Sequence, residues 1–208
     1  MEFKKILDNV NQYFEEKSKE GKSMDWRTNP MLEEQYSQLC SIFEPDSSFS
    51  LLDYGAGIGT FYDYLMQNAY KVRLYYGYDI LDSMVQEGRK IHGEDANVIF
   101  TSTLTDCQEI DYICASNVFD MKLNANYKHW TKYILKCLHE IDDLSKIGFS
   151  LNFLSNKTAL ESMQEDLYYA DPDFFVDYCK THFSDNVELL NNASQDYFTL
   201  LIRKKEYD

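Results

Sequence analysis

From Leu51 to Phe61 the chain reads Leu-Leu-Asp-Tyr-Gly-Ala-Gly-Ile-Gly-Thr-Phe. Gly55, Gly57 and Gly59 are three of only eight glycines, and they follow an apolar run closed by Asp53. The pattern predicts a buried strand, a tight turn and a helix N-terminus. Glycine accepts positive φ and lets the backbone approach a ligand closely. The N–H groups at a helix start favour an anionic or polar ligand group. Downstream, Val72-Arg73-Leu74-Tyr75-Tyr76-Gly77-Tyr78 is a second strand-like run, and it ends at Asp79. An acid in that place can accept hydrogen bonds from both hydroxyls of a ribose. The chemistry indicated is recognition of a nucleoside carrying a polar extension. A dinucleotide fingerprint would need its third glycine at position 60, where Thr60 stands, and the phosphate loop G-x-x-x-x-G-K-[ST] is absent.

The elements that must position these residues can be read from periodicity. Strands are expected at 49–54, 73–79, 97–102, 110–116 and 147–154, and helices at 59–68, 82–92 and 126–143. Phe61, Tyr64, Leu65 and Met66 mark the buried side of the first of these helices. Asp82 or Ser83 is the expected cap of the second. Tyr127, Trp130, Ile134, Cys137, Leu138 and Ile141 mark the apolar face of the third. Asp171-Pro172 opens a helix over about 171–183, and strands at 186–190 and 196–203 form a hairpin around Asn191–Ser194. This alternation predicts an α/β fold: a seven-stranded, mostly parallel sheet with an antiparallel C-terminal hairpin and helices on both faces. Ahead of it, Phe3, Ile6, Leu7, Val10, Tyr13 and Phe14 define an amphipathic helix over 2–20, ended by Gly21. A second helix should run from Pro30 to about Phe43. The expected division is an N-terminal helical extension or lid at 1–45 and one domain at 46–208.

Composition narrows the partners. The net charge of −15 opposes a polyanion, so DNA and RNA are not the expected substrates. Five scattered cysteines without C-x-x-C imply reduced thiols and no zinc site, and four histidines show no metal spacing. No metal is therefore expected. No apolar run reaches the 18 residues of a membrane span, and the expected location is cytoplasmic. The fourth strand exits through Ser116-Asn117-Val118-Phe119-Asp120. In an open α/β sheet, ligands bind beyond the carboxyl ends of the strands where the strand order reverses, which places Asn117, Phe119 and Asp120 at the reacting end.

The D-x-G-x-G-x-G of Asp53 to Gly59, followed by Asp79, resembles the first two motifs of the class I methyltransferases that use S-adenosylmethionine. The match extends from about Phe49 to Lys204, and the overall pattern is similar to that of small bacterial members acting on small molecules. The resemblance implies that Asp53, Gly55, Gly57 and Gly59 shape the turn around the methionine part of the cofactor. Asp79 would bind the ribose, Ile80 would pack on the adenine, and Leu104 would cover the ring with Thr103 or Thr105 beside it. Asn117 and Phe119 would sit near the sulfonium. Asp120 is the candidate general base for a hydroxyl acceptor, with His129 a distant second. Tyr168 and Tyr169 are candidates for the acceptor pocket. Trp26, Arg27 and Gln35 are candidates from the N-terminal helices, and Arg27 would pair with the cofactor carboxylate. The exit loop lacks the Asn/Asp-Pro-Pro-aromatic run of the amino-methylating nucleic-acid enzymes. The implied acceptor is a small metabolite methylated on O, N or C, and similar sequences accompany sugar and secondary-metabolite pathways. Two rivals stand beside this reading: a catalytically idle cofactor-binding subunit, and a nicotinamide-dependent oxidoreductase, which Thr60 disfavours.

Overall fold

The computed structural model describes residues 2–19, 31–108 and 110–204. Two helices come first, α1 (Glu2–Lys19) and α2 (Leu32–Cys40). The alternating part is β1 (Ser48–Tyr54), α3 (Thr60–Gln67), β2 (Lys71–Tyr78), α4 (Asp82–His92), β3 (Val98–Thr101), β4 (Ile110–Ala115), α5 (Tyr127–Leu144) and β5 (Ser145–Leu154). It ends with α6 (Pro172–His182), β6 (Val187–Asn191) and β7 (Tyr197–Arg203). The strands form a seven-stranded sheet in the order β3-β2-β1-β4-β5-β7-β6. β1 to β5 pair in parallel, and β7 runs antiparallel to both β5 and β6. A short link suffices for the β6–β7 hairpin, whereas parallel neighbours need crossovers. The order reverses between β1 and β4, so the carboxyl ends of these two strands flank the switch point.

Helices cover both faces, which is why the central strands read as nearly continuous apolar runs. Strand residues divide by parity. Leu52, Tyr54, Ile113, Ala115, Leu151 and Phe153 share one core with Trp130, Ile134 and Cys137 of α5 and Phe175 of α6. Leu51, Tyr75, Tyr112 and Cys114 share the other with Leu39 of α2, Phe61 and Leu65 of α3 and Val85 of α4. Ile6 places α1 in the first core, so α1 and α2 lie on opposite faces of the sheet.

Several local expectations are corrected. Tyr62, not Met66, shares the buried side of α3 with Phe61 and Leu65, and Met66 is exposed. At about 100° per residue, Met66 falls away from the stripe centred on Phe61 and Leu65. Tyr127 is largely exposed at the first turn of α5, while the other five residues of that face are buried. Neither Asp82 nor Ser83 caps α4: its cap position is Leu81, with no side-chain cap bond, and Asp82 is the first helical residue. The Leu81 N–H is instead taken by Asp79 Oδ1 at 2.9 Å. Helix α2 ends at Cys40, and the chain then turns so that Phe43 stacks on Phe49 at 4.2 Å. The Asp171-Pro172 start behaves as read: Asp171 Oδ1 accepts from the N–H groups of Asp173 and Phe174. Gly21 and Pro30 lie outside the described residues.

Candidate active site

The turn after β1 uses all three glycines at positive φ: +85° at Gly55, +54° at Gly57 and +94° at Gly59. L side chains disfavour this region because Cβ crowds the following carbonyl. The surroundings of the three differ. A Cβ on Gly59 would lie 2.8 Å from both His92 Nε2 and Phe100 Cζ, and one on Gly55 would lie 2.5 Å from Val118 Cγ2. A Cβ on Gly57 would meet nothing within 4 Å. The outer glycines therefore make room for packing, and the middle one borders open space. The Gly55 and Ala56 N–H groups both donate to the Tyr78 carbonyl, at 2.8 and 2.9 Å, which joins the turn to the end of β2.

Asp79 lies at that end. Its Oδ2 accepts from the Gly57 N–H and its Oδ1 from the Leu81 N–H, each at 2.9 Å. Burial raises its pKa, and the two backbone bonds oppose the rise. One bond to each oxygen leaves acceptor capacity on both, because a carboxylate oxygen has two lone pairs. A vicinal diol fits such a carboxylate, and the open side of Gly57 adjoins it. These residues accordingly fit a nucleoside ligand.

Asp53 is buried beneath the turn, where its Oδ2 accepts from the Tyr75 hydroxyl at 2.6 Å. Burial pushes its carboxyl up to about 7, the Tyr75 bond works against that, and the neighbouring Asp79 charge adds to it. Asp120 has a different setting. Its Oδ1 accepts from the Leu154 N–H at 3.0 Å, and its carbonyl accepts from the Tyr168 N–H at 2.7 Å. It thus ties the β4 exit to the end of β5 and to the segment before α6. Burial pushes this carboxyl to about 7 as well.

Both carboxyls hold their protons more tightly folded than unfolded, where an aspartate titrates near 3.9. Their stabilising contribution is complete below about pH 4 and is lost as pH rises through about 7. Asp120→Asn keeps an oxygen for the Leu154 N–H and removes one titration. Urea denaturation of the ligand-free protein from pH 4.5 to 7.5 should show a shallower fall in stability in the variant, by up to about 1.4 kcal/mol per pH unit. Equal slopes in variant and parent would contradict the assignment.

The β4 exit faces the glycine turn, with Val118 packed over Gly55. Asn117 adopts a left-handed φ of +56°. Its N–H donates to Asn152 Oδ1 at 2.7 Å, and its Nδ2 donates to Gln35 Oε1 at 3.0 Å. The next residue of α2, Tyr36, shares a 2.8 Å hydrogen bond with Thr60 Oγ1 at the start of α3. Consecutive residues of α2 therefore span the two loops that bound the switch point.

The remaining candidates are scattered. Ile80 is half-buried beyond Asp79. Leu104 is half-buried against the α5-side core and opens a single 3₁₀ turn, Leu104–Asp106, tied by Thr101 Oγ1 to Asp106 Oδ2 at 2.9 Å. Thr103 and Thr105 flank Leu104 and are exposed. The Phe119 ring is buried between Tyr54 and Phe153, and its carbonyl accepts from Trp130 Nε1 at 2.7 Å. Tyr168, expected at the acceptor pocket, has its side chain in the core: it is 1% exposed, stacks on Tyr127 at 4.6 Å and shares a hydrogen bond with Thr131. Tyr169 is half-buried, and its hydroxyl accepts from the Gln164 N–H at 3.0 Å. His129 lies in the first turn of α5. Trp26 and Arg27 lie outside the described residues. A cavity of about 440 Å³ between the β4–α5 connection and Glu165-Asp166 is bordered by Tyr127 but by none of the residues assigned from the sequence to cofactor, acceptor or proton transfer. Tyr75, Tyr36 and Asn152 were missed. The one signal for Asn152 was its alternation with Ser150 in the otherwise apolar run from Ile147 to Leu154.

Among the described residues no helix is long and apolar enough to cross a membrane, and no cluster of three or more His, Cys, Asp or Glu could hold a metal ion. The family model described as a methyltransferase domain matches residues 52–149. A Mycobacterium tuberculosis protein named as a methyltransferase is 35% identical over 156 residues, covering 75% of this chain and 93% of its own length. In structure, the chain is similar to the 1,6-didemethyltoxoflavin-N1-methyltransferase of Burkholderia thailandensis, solved with 1,6-didemethyltoxoflavin and S-adenosylhomocysteine. The TM-score is 0.66 at 13% identity, over 99% of this chain and 90% of that one. A chain of an RNA repair complex superposes with a TM-score of 0.62 at 16% identity, and this chain spans 48% of its length. A glycine turn joined to Asp79 at the switch point of a seven-stranded sheet, together with these relationships, leads to one conclusion: the chain belongs to the class I S-adenosylmethionine-dependent methyltransferases.

Proposed function

We propose that this chain moves a methyl group from S-adenosylmethionine to an O, N or C atom of a small metabolite. The observation that carries the reading is the open side of Gly57 beside an Asp79 carboxylate whose two oxygens are fixed by backbone N–H groups. In this reading Asp79 holds the ribose hydroxyls, and Ile80 and Leu104 flank the adenine. The glycine turn that follows Asp53 receives the amino-acid end. Asn117 and Phe119 border the reacting end. Bound there, S-adenosylmethionine supplies an electrophilic methyl group for in-line displacement by the acceptor atom. The residues of the chain supply orientation and exclude water, and positioning of this kind contributes roughly 7–11 kcal/mol. A hydroxyl acceptor also needs a proton acceptor, and the Asp120 carboxyl, held near 7, has a matching proton affinity. Tyr169 is the aromatic candidate for contact with the acceptor. The extension ahead of a domain formed by 46–208 acts as a lid through α2, which spans the switch point.

The net charge of −15 supports a small acceptor over a polyanion. So does the neighbour solved with a small heteroaromatic molecule. The test is methyl transfer from labelled S-adenosylmethionine to a panel of heteroaromatic, phenolic and sugar acceptors, with an RNA oligonucleotide as a further arm. Labelled small-molecule product supports the proposal. Label in the RNA alone would overturn the acceptor class, and binding of the cofactor without transfer to any arm would favour the idle subunit.

A further inference from the structure

Asn117 combines two features that call for support. It is not glycine, yet it sits at φ +56°, and it lies where the chain leaves β4. Asn tolerates this region better than most residues but does not select it unaided. The selection comes from two amides. From below, Asn152 on β5 accepts the Asn117 N–H at 2.7 Å. From above, Gln35 on α2 accepts from Asn117 Nδ2 at 3.0 Å. Both are buried, Asn152 completely and Gln35 to 3% exposure.

The orientation of the Asn152 carboxamide follows from chemistry. A backbone N–H can only donate, so the oxygen of Asn152 must face Asn117. The NH₂ group is then left over, and Nδ2 of Asn152 has no hydrogen-bond partner among the described residues although it is buried. An unpaired buried donor is unfavourable. Asn152 also interrupts a strand whose flanking residues Leu151 and Phe153 are buried apolar groups. The feature gained for that cost is the bond to Asn117.

We infer that Asn152 is a positioning residue for methyl transfer: with Gln35 it clamps Asn117 in the left-handed conformation that shapes the reacting end of the site. The inference rests on the proposed placement of Asn117 at the reacting end, where the amino-acid tail of the cofactor joins the sulfur. It concerns that end alone, because Asp79 and Ile80 hold the nucleoside from the other side of the switch point.

Calorimetric titration with two probes separates the ends. S-adenosylhomocysteine carries the amino-acid tail, and 5′-methylthioadenosine lacks it. Binding of both by the parent protein supports the cofactor reading, and absence of both would sink that reading before the clamp is tested. Given binding, Asn152→Ala should weaken S-adenosylhomocysteine at least tenfold and 5′-methylthioadenosine less than threefold. Asn152→Asp should restore the former to within threefold of the parent. Ionised or protonated, Asp keeps an oxygen for the Asn117 N–H, and when ionised it carries no unpaired donor. Equal weakening of both probes, no weakening of either, or failure of Asp to rescue would overturn the inference. Should Asn152→Ala not fold, Asn117→Leu disturbs the same turn by backbone strain and must produce the same selective loss.

Discussion

Asp79→Ala should lower the affinity for S-adenosylhomocysteine by at least about a hundredfold. Two contributions combine. Hydrogen bonds to a charged group are worth about 1.5–3 kcal/mol each, and two ribose hydroxyls lose theirs together. That alone is about 3 kcal/mol or more, close to two decades in Kd. The second contribution is structural: Asp79 also accepts from the Gly57 and Leu81 N–H groups, so its loss releases the turn that borders the ligand. Asp79→Asn should be nearly as damaging, although it is isosteric. With both oxygens receiving backbone N–H donors, an amide must present its NH₂ to one of them. Calorimetry on both variants checks the claim. An Asn variant within fivefold of the parent would show that Asp79 is not held as described.

Gly59→Ala and Gly57→Ala should fail in opposite ways. At Gly59, φ is +94° and the new Cβ would lie 2.8 Å from His92 Nε2 and Phe100 Cζ, so strain and overpacking add. Left-handed backbone costs roughly 1–2 kcal/mol for an L residue and overpacking about 1–3 kcal/mol. Gly59→Ala should therefore lose about 2–5 kcal/mol in urea denaturation. At Gly57, φ is +54° and the methyl meets nothing within 4 Å, so only the backbone strain remains. The fold should lose about 1–2 kcal/mol. The methyl would, however, occupy the open space assigned to the cofactor, and S-adenosylhomocysteine affinity should fall at least tenfold. Undiminished affinity in Gly57→Ala would place the ligand elsewhere.

The architecture was legible because it rests on local pattern. Apolar runs punctuated by Gly, Asp and Pro located β1 to β5, and the short Asn191–Ser194 link announced the β6–β7 hairpin. The backbone-level part of the site was legible for the same reason. A glycine at every second position between a strand and a helix needs positive φ, and all three have it. The roles of individual side chains were harder to read. Tyr168 and Tyr169 are adjacent and chemically identical, yet one ring is in the core and the other is half-buried. The aromatic type satisfies both settings, so composition cannot separate them. Asp53 and Asp120 are likewise the same residue type, each pushed to about 7 by burial, one braced by a tyrosine hydroxyl and the other by a backbone N–H.

By itself, then, the sequence determined the class of fold, the glycine turn, the acid at the end of β2 and, through the relationship these carry, the cofactor. Hydrophobic periodicity and turn chemistry act between residues a few positions apart, and a single chain records them directly. Only the tertiary structure decided that Tyr75 braces Asp53 across 22 positions, that Asn152 accepts from Asn117 across 35, and that Gln35 reaches Asn117 across 82. Those partners meet because the sheet order sets β2 and β4 against β1, sets β5 against β4, and brings α2 over the switch point. Such contacts depend on register and crossover, which no local pattern encodes.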